Sequence, residues 1–371
     1  MPRIIPRLRL PRAARGKSRF APRAAVRDRL SDLPDFGPNP GNLRARCYVP
    51  ADLPAGAPLV VVLHGCTQDA AVYDQGSGWS ALAGRHGFAL LYPEQQRANN
   101  PMLCFNWFQA EDTARGRGEA ASIANMVEAI QARHALDPAH TFVTGLSAGG
   151  AMTMVMLAVY PELFAAGAPI AGVAFGCADS VSDAFQCMAG RGSGDGAALA
   201  ASVRRASRHA GPWPRLQVWQ GSADTTVVPG NADTIVRQWA ALHGLPDEPN
   251  RFDEVAGFPR RAWLDGSGAP ILEQLSVTGM AHGVPLATGD GDEAIGAAGA
   301  HMLDVGLSST TEIAAFFGIA RPADNRAAAP RAATSKPPRA GRTEPRLTQA
   351  PPAHGPQAVI ERALRAAGLM R

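Results

Sequence analysis

Short, uniformly apolar runs recur through the middle of this chain and are separated by polar stretches. The run over 57–65 ("APLVVVLHG") and the run over 86–94 ("HGFALLYPE") are apolar at both alternating sets of positions. Strands buried on both faces have this pattern, and they belong to parallel sheets covered by helices. Further strands are predicted over 140–145, 164–172, 215–221 and 271–279. The segment over 43–50 alternates between polar and apolar residues, which predicts a strand at the edge of the sheet.

Between these runs lie segments whose apolar residues have helical spacing. The segment over 118–134 places its larger apolar residues on one face, as a helix covering a sheet does: Ile123, Met126, Val127 and Ile130. Helices are also predicted over 148–160, 196–209, 230–243 and 308–317. Strands that alternate with covering helices predict an α/β fold with a mostly parallel central sheet and helices on both faces.

The two ends of the chain differ in composition from this central part. The 371 residues carry a net charge of +4, but residues 1–29 carry +9 and residues 321–371 carry +7, which leaves −12 between them. The ends are rich in Arg, Pro and Ala, which is typical of flexible, solvated segments. The alternative is that these basic ends bind an anionic surface or polyanion; we expect no specific nucleic-acid partner.

These patterns predict four parts along the chain. Residues 1–39 form a basic, flexible extension, residues 40–320 the α/β domain, residues 321–355 a linker, and residues 356–371 a short amphipathic helix. No apolar run reaches the roughly 18 residues of a membrane-spanning helix. The N-terminal part lacks the continuous apolar segment of a secretory signal.

The five cysteines do not form a metal-binding pattern. Cys47, Cys66, Cys104, Cys177 and Cys187 include no C-x-x-C pair and no Cys/His cluster with zinc spacing, so no metal site is expected. An odd number leaves at least one free thiol in a monomer. Two disulfides with one cysteine left over, or five thiols, both remain open.

The segment 141–152, "TFVTGLSAGGAM", leads from a predicted strand through G-x-S-x-G into a predicted helix. Gly145 and Gly149 would let the strand and the helix approach closely, with Ser147 on the turn between them. In a strand–turn–helix setting this pattern is the nucleophile elbow of a serine hydrolase. Taken alone, the pattern also arises by chance between strands and helices.

A serine nucleophile requires a base and an acid that orients it, and on this kind of fold they follow the serine in the order acid, then His. Asp224 and His282 each follow a predicted strand, at the sheet edge where open α/β sheets build sites. The other candidates are less well placed, because they lie in helical or loop segments: Asp233, Asp265, His243 and His301.

Two backbone N–H groups are candidates for stabilising the oxyanion that ester attack would create. Ala148 follows the nucleophile directly, and Cys66 lies in the loop after an early buried strand, "LHGCTQD". His64, in the same loop, precedes Ser147 in the wrong order for a catalytic base. We therefore predict a structural role for His64.

Eight segments, in order from about residue 40 to residue 318, resemble the polyhydroxybutyrate depolymerase family of esterases, a branch of the α/β-hydrolases. They are "LVVVLHGCTQ", "LLYPEQQ", "CFNWF", "RGRGEAASI", "GLSAGGAM", "GVAFGCA", "GSADTTVVPGNAD" and "GMAHGVP". The resemblance implies a serine esterase with Ser147, Asp224 and His282 as its triad. It also implies an oxyanion hole formed by Cys66 and Ala148, and no metal or cofactor.

The resemblance also suggests how the cysteines and one aromatic residue are used. It implies a Cys66–Cys104 disulfide beside the oxyanion loop, while Cys177 and Cys187 form a candidate second pair. Trp107 would line the acyl pocket, although packing in the core is an equal alternative. The segment 178–212 is where a lid would be sought.

The resulting hypothesis is a serine carboxylic-ester hydrolase that cleaves short-chain 3-hydroxybutyrate esters or oligomers. Family members also include feruloyl and acetyl-xylan esterases, so these substrates are alternatives, and a peptidase on the same fold is another. A different class is a non-catalytic scaffold that binds a polyanion or surface through its basic ends. Family resemblance favours an extracellular location, with a cytoplasmic one as the alternative.

Overall fold

The computed structural model describes residues 27–191, 194–289 and 294–320. Ten of the described strands form one sheet in the order β1-β2-β4-β3-β5-β6-β7-β10-β9-β8, and β11 and β12 form a small parallel pair. The strands are β1 (Ser31–Asp32), β2 (Arg44–Tyr48), β3 (Leu59–Leu63), β4 (Ala89–Glu94), β5 (Thr141–Leu146), β6 (Ala166–Ile170), β7 (Arg215–Gly221), β8 (Arg251–Val255), β9 (Phe258–Leu264), β10 (Pro270–Val277), β11 (Val284–Leu286) and β12 (Met302–Asp304).

The six central strands, from β4 to β10, are parallel, and the strands at both edges are antiparallel. The helices are α1 (Ala70–Ser77), α2 (Trp79–His86), α3 (Ala110–Thr113), α4 (Gly118–His134), α5 (Ala148–Val159), α6 (Val181–Met188), α7 (Gly196–Ala206), α8 (Gly230–His243) and α9 (Ser309–Phe317). Short 3₁₀ turns lie at Pro138–His140 and Pro161–Leu163.

Successive residues of β3 belong to two different cores, one on each face of the sheet. Leu59, Val61 and Leu63 pack with α4, α5, α7 and α8, whereas Val60 and Val62 pack with α1, α2 and α9. All five side chains are fully buried, as the uniformly apolar run predicts for a strand covered on both sides. The predicted α/β fold with a mostly parallel sheet and helices on both faces is confirmed.

The sequence patterns missed the hairpin of β8 and β9 and the helices α1, α2, α3 and α6. The hairpin turns at Ala256 and Gly257, both with positive φ (50° and 82°), as a tight two-residue turn requires. The hairpin forms one edge of the sheet: β8 is largely exposed, whereas β9 is half-buried between β8 and β10. They carry charged residues where a buried strand would be apolar, which explains why an apolar pattern did not reveal them.

At the N-terminal side, the packed part of the structure begins before the boundary predicted at residue 40. β1 pairs antiparallel with β2, and Leu33 is buried against the core. Residues 1–26, the linker predicted over 321–355 and the helix predicted over 356–371 lie outside the described residues. Among the helices of the described residues, none is both long and apolar enough to span a membrane.

Candidate active site

Ser147 occupies a sharp turn between β5 and α5. Its backbone has φ 58° and ψ −116°, a strained conformation, and its N–H donates to Ile170 O at 2.9 Å. A Cβ on Gly145 would lie 2.5 Å from Gly149 O, and one on Gly149 would lie 2.2 Å from Leu63 O. Only glycine fits at these two positions, so the strand and the helix meet closely with Ser147 on the turn.

Asp224 follows β7 and His282 follows β10, and the structure brings their side chains together. His282 Nδ1 lies 2.7 Å from Asp224 Oδ2, and the acid side chain is completely buried. Asp224 Oδ1 accepts the N–H groups of Thr226 (2.8 Å) and Val227 (2.9 Å). A carboxylate only accepts hydrogen bonds, so Nδ1–H donates to it and Nε2 is left as the basic nitrogen.

The loops that carry the acid and the histidine are hydrogen-bonded to each other. The N–H of Ser222 donates to Val277 O at 3.0 Å, and the N–H of Ala223 donates to Met280 O at 3.0 Å. The N–H of Gly279 returns a bond to Ser222 Oγ at 2.8 Å. The acid and the histidine are therefore held by one continuous loop structure rather than by two independent loops.

Ser147 lines a pocket, but no hydrogen bond joins its Oγ to His282 among the bonds of the described residues. Of the alternative histidines, His301 lies closest to this site: its Nδ1 is 3.1 Å from His282 O, and the two rings are 5.8 Å apart. His243 instead contacts Pro214 O at 3.2 Å. No local pattern indicates that His301 contacts the His282 loop, because that contact depends on the pairing of β11 with β12.

The pocket beside Ser147 has a cavity volume of about 60 Å³, opens to solvent and is mostly apolar. Two segments supply most of its surface. The loop wall, residues 100–108, contributes Asn100, Met102, Cys104, Trp107 and Phe108. The helix wall, which is α6, contributes Val181, Ala184, Phe185 and Met188.

Cys66 and Ala148, the two residues predicted for the oxyanion hole, both line this pocket together with Ser147. The N–H groups on either side of Cys66 are occupied, since Gly65 N–H donates to Gln68 Oε1 (2.9 Å) and Thr67 N–H to Met102 O (2.6 Å). Among the described bonds, the N–H of Cys66 has no acceptor. Ala148 lies at the start of α5, where helix N–H groups also lack partners.

His64 is buried and accepts the N–H of Gln95 at its Nε2 (3.1 Å), while its Nδ1 lies 2.8 Å from Gly65 O. Burial lowers the pKa of His64, and both of its ring nitrogens are engaged by these hydrogen bonds. This arrangement favours the structural role predicted from the sequence.

Both candidate cysteine pairs are joined in the structure. Cys66 is linked to Cys104 and Cys177 to Cys187, and Cys47 is buried and unpaired. The first bridge connects the oxyanion loop to the loop wall, and the second holds the helix wall.

The helix wall lies inside the segment 178–212, the region that the sequence suggests as the place of a lid. Its last residue, Met188, is hydrogen-bonded to the loop after Asp224 and to the first turn of α8, because Met188 O accepts Val228 N–H (3.0 Å) and Asn231 Nδ2–H (3.0 Å). This part of the segment is a fixed side of the pocket in the structure.

A buried polar network underlies the loop wall and was not predicted. Glu119, at the start of α4, accepts hydrogen bonds from Gln95 Nε2 (2.5 Å) and from Asn106 N–H (2.8 Å). Gln95 Nε2 also donates to Cys104 O at 3.0 Å. Burial, together with nearby Asp112, raises the pKa of Glu119 to about 8.

Within the residues that the structure describes, no group of three or more His, Cys, Asp or Glu side chains is arranged to hold a metal ion.

The parallel sheet with its antiparallel edges, and the strained serine between β5 and α5, define an α/β-hydrolase fold. Sequence comparison agrees: the model of the Esterase PHB depolymerase family matches residues 46–254. The chain is 47% identical over 291 residues to Poly(3-hydroxyalkanoate) depolymerase C of Paucimonas lemoignei, an alignment that covers 78% of this chain and 70% of that protein. It is 34% identical to Acetylxylan esterase A of Aspergillus oryzae, over 71% of this chain and 86% of that one.

The solved acetyl xylan esterase from Aspergillus awamori superimposes on 78% of this chain with a TM-score of 0.67, at 29% sequence identity, and 99% of that chain is covered. The chain belongs to the Esterase PHB depolymerase family, which confirms the predicted resemblance. It is a carboxylic ester hydrolase, as its depolymerase and esterase relatives indicate.

Proposed function

We propose that this protein is a serine esterase which hydrolyses short-chain 3-hydroxyalkanoate esters or oligomers, with 3-hydroxybutyrate as the acyl unit. The observation that carries the proposal is the strained Ser147, which lines an apolar pocket. The hydrogen-bonded pair of His282 and Asp224 follows two neighbouring strands, β10 and β7, of the same sheet. Similarity to a poly(3-hydroxyalkanoate) depolymerase supports the choice of acyl unit.

In the proposed reaction, Ser147 Oγ attacks the ester carbonyl and His282 Nε2 takes the serine proton. Asp224 holds the imidazole and stabilises its cation, and the N–H groups of Cys66 and Ala148 stabilise the oxyanion. Protonation by His282 releases the alcohol and leaves an acyl-enzyme. Water, deprotonated by His282, then attacks the acyl group and frees the acid and the serine.

The test is a hydrolysis panel on the wild type and on Ser147→Ala. It contains p-nitrophenyl acetate and butyrate, methyl ferulate, a 3-hydroxybutyrate oligomer and amorphous polyhydroxybutyrate. We expect the wild type to prefer 3-hydroxybutyrate substrates and the variant to lose about 10⁴-fold or more in kcat. Equal activity of the two proteins would remove Ser147 from the mechanism, and complete inactivity of both would favour the scaffold hypothesis.

Acetylxylan-type activity is the second candidate, because relatives with that name align over 71% of the chain. Acetylated xylan belongs in the same panel, and faster deacetylation than 3-hydroxybutyrate cleavage would select it. Methyl ferulate tests for feruloyl esterase activity, and the amide that corresponds to the best ester substrate tests for peptidase activity.

The two disulfides are typical of an oxidising compartment, so we propose an extracellular location. Fractionation of cells that produce the protein tests this location, and finding the chain in the cytoplasm with five free thiols would contradict it. Binding of an anionic surface by the basic ends remains a prediction, tested by vesicle sedimentation with and without residues 321–371.

A further inference from the structure

Among the described residues that line the pocket, Asn100 alone has an amide or charged side chain. We propose that Asn100 is a specificity-determining residue, which donates an N–H to an oxygen atom on the third carbon of the substrate's acyl chain. The inference rests on the proposed function and deepens it, because it names the side chain that would distinguish 3-hydroxyacyl esters from other esters.

The orientation of the Asn100 amide is fixed by its partners. Its Oδ1 accepts the N–H of Met102 at 2.9 Å, and because a backbone N–H can only donate, the atom facing it must be the oxygen. The Nδ2 donates one hydrogen to Asn106 Oδ1 at 3.1 Å. A primary amide has two N–H groups, so one N–H of Asn100 has no acceptor among the described hydrogen bonds.

Asn106 is oriented in turn by two carboxyl groups. Its Nδ2 donates to Asp112 Oδ2 at 3.2 Å, and its backbone N–H donates to Glu119 Oε2 at 2.8 Å. With its nitrogen directed to Asp112, Asn106 presents its oxygen to Asn100. This chain of hydrogen bonds leaves Asn100, which lines the pocket, with one unused N–H donor beside the second lone pair of its Oδ1.

The remaining N–H lies in a largely apolar environment, since Asn100 is 8% exposed and its neighbours in the loop wall include Met102, Trp107 and Phe108. A buried donor without a partner is unfavourable, so a ligand that supplies an acceptor there gains more than it would in water. Sites of this kind discriminate against analogues that lack the matching polar atom.

The three candidate substrate classes differ at this point in the acyl chain. A 3-hydroxybutyryl group has an oxygen on its third carbon, either as a hydroxyl or, inside an oligomer, as an ester oxygen, and both forms accept a hydrogen bond. An acetyl group has no third carbon. In a feruloyl group, the third carbon bears the aromatic ring. Only the first class satisfies Asn100.

The experiment compares methyl 3-hydroxybutyrate with methyl butyrate on the wild type, on Asn100→Leu and on Met102→Leu. The Leu at position 100 keeps a similar volume and removes the donor, whereas the change at Met102 alters the same wall without removing one. We expect Asn100→Leu to lower the ratio of kcat/KM for the hydroxy ester over the plain ester by about three- to tenfold, mainly through KM. Met102→Leu should keep the ratio.

An unchanged ratio in a folded Asn100→Leu, with both esters slowed equally, would overturn the inference and leave Asn100 a merely structural residue. If that variant does not fold, the two esters are compared on the wild type alone, and equal kcat/KM values for methyl 3-hydroxybutyrate and methyl butyrate would also overturn the inference. Failure of the proposed function is separate: it would appear as retained activity in Ser147→Ala.

Discussion

The loop wall and the helix wall line the same pocket, yet they are held in place by different interactions. The helix wall satisfies its own backbone and needs only an apolar face, a disulfide at Cys187 and the bonds to Met188 O. The loop wall has no regular backbone pairing. Its buried backbone groups are satisfied by side chains such as Glu119 and Gln95.

This difference teaches that the two walls affect substrate choice through different physical properties. An irregular segment can be buried only when polar side chains accompany it, so polar groups such as Asn100 accumulate in the loop wall. The helix wall offers only size and shape. We therefore expect changes to the polar side chains of the loop wall to alter polar recognition and stability, and changes in the helix wall to alter the accepted acyl size.

The largest expected effect comes from removing each wall's disulfide. Cys66 and Cys104 are 38 residues apart, whereas Cys177 and Cys187 are 10 apart. From the loop-closure entropy, replacing the first pair by serine should cost about 4 kcal/mol of unfolding free energy, and replacing the second about 3 kcal/mol. Urea unfolding without reductant measures both.

Cys47→Ala is the control for these variants, because Cys47 is buried but forms no disulfide. If removing Cys177–Cys187 lowered the unfolding free energy more than removing Cys66–Cys104, this prediction would be wrong, because closing the shorter loop restricts the unfolded chain less.

The next effect concerns Glu119 and its dependence on pH. Its pKa in the folded protein, about 8, lies above the usual 4.5, so folding favours the protonated form. Its contribution to stability is thus present at low pH and is lost as pH rises from about 4.5 to about 8. Relative to Glu119→Gln, the wild type should lose unfolding free energy between pH 5 and pH 8.5, as measured by urea unfolding.

The matched control is Glu273→Gln, in β10, where a buried carboxyl contacts Gln217 and Arg260 away from the pocket. At pH 5, Glu119→Gln should cost about 1–3 kcal/mol of unfolding free energy, because the amide nitrogen of Gln cannot accept the second hydrogen bond of the network. This cost should shrink as pH rises toward 8.5, because only the wild type loses the Glu119 contribution there. Only Glu119→Gln should raise KM for methyl 3-hydroxybutyrate. If the unfolding free energies of the wild type and Glu119→Gln changed with pH in the same way, the Glu119 carboxyl would not titrate in this range.

The sequence predicts the parts of this molecule that follow local rules. Apolar runs identify most of the parallel strands, because burial on both faces leaves few polar positions; β7 and β10 still contain buried polar residues such as Gln217 and Glu273. The strand–turn–helix pattern identifies Ser147, and the strand ends place Asp224 and His282 on the same edge of the sheet. The structure then adds the His282–Asp224 bond, which no local pattern contains.

The pocket walls could not be predicted in the same way, since they depend on contacts between distant parts of the chain. Glu119 lies in α4, 13 positions after Asn106, and reads as an ordinary first-turn acid of a helix. Asn100 lies in a polar loop of the sequence. Its unused N–H is recognised only from the hydrogen bonds that its side chain makes in the folded structure. The β8–β9 hairpin lies at a sheet edge, and its charged residues interrupt the apolar pattern that a fully buried strand would show.

The smallest expected effect is a change of acyl size from the helix wall. Phe185→Ala removes an aromatic ring from the pocket lining, so kcat/KM for p-nitrophenyl butyrate should fall about tenfold, while acetate, which reaches less far, should change by less than about twofold. Phe252→Ala is the control, because that side chain is 70% exposed on β8. The ratio between methyl 3-hydroxybutyrate and methyl butyrate should stay constant in Phe185→Ala, because the donor belongs to the loop wall. A shift in that ratio would show that the two walls do not act separately.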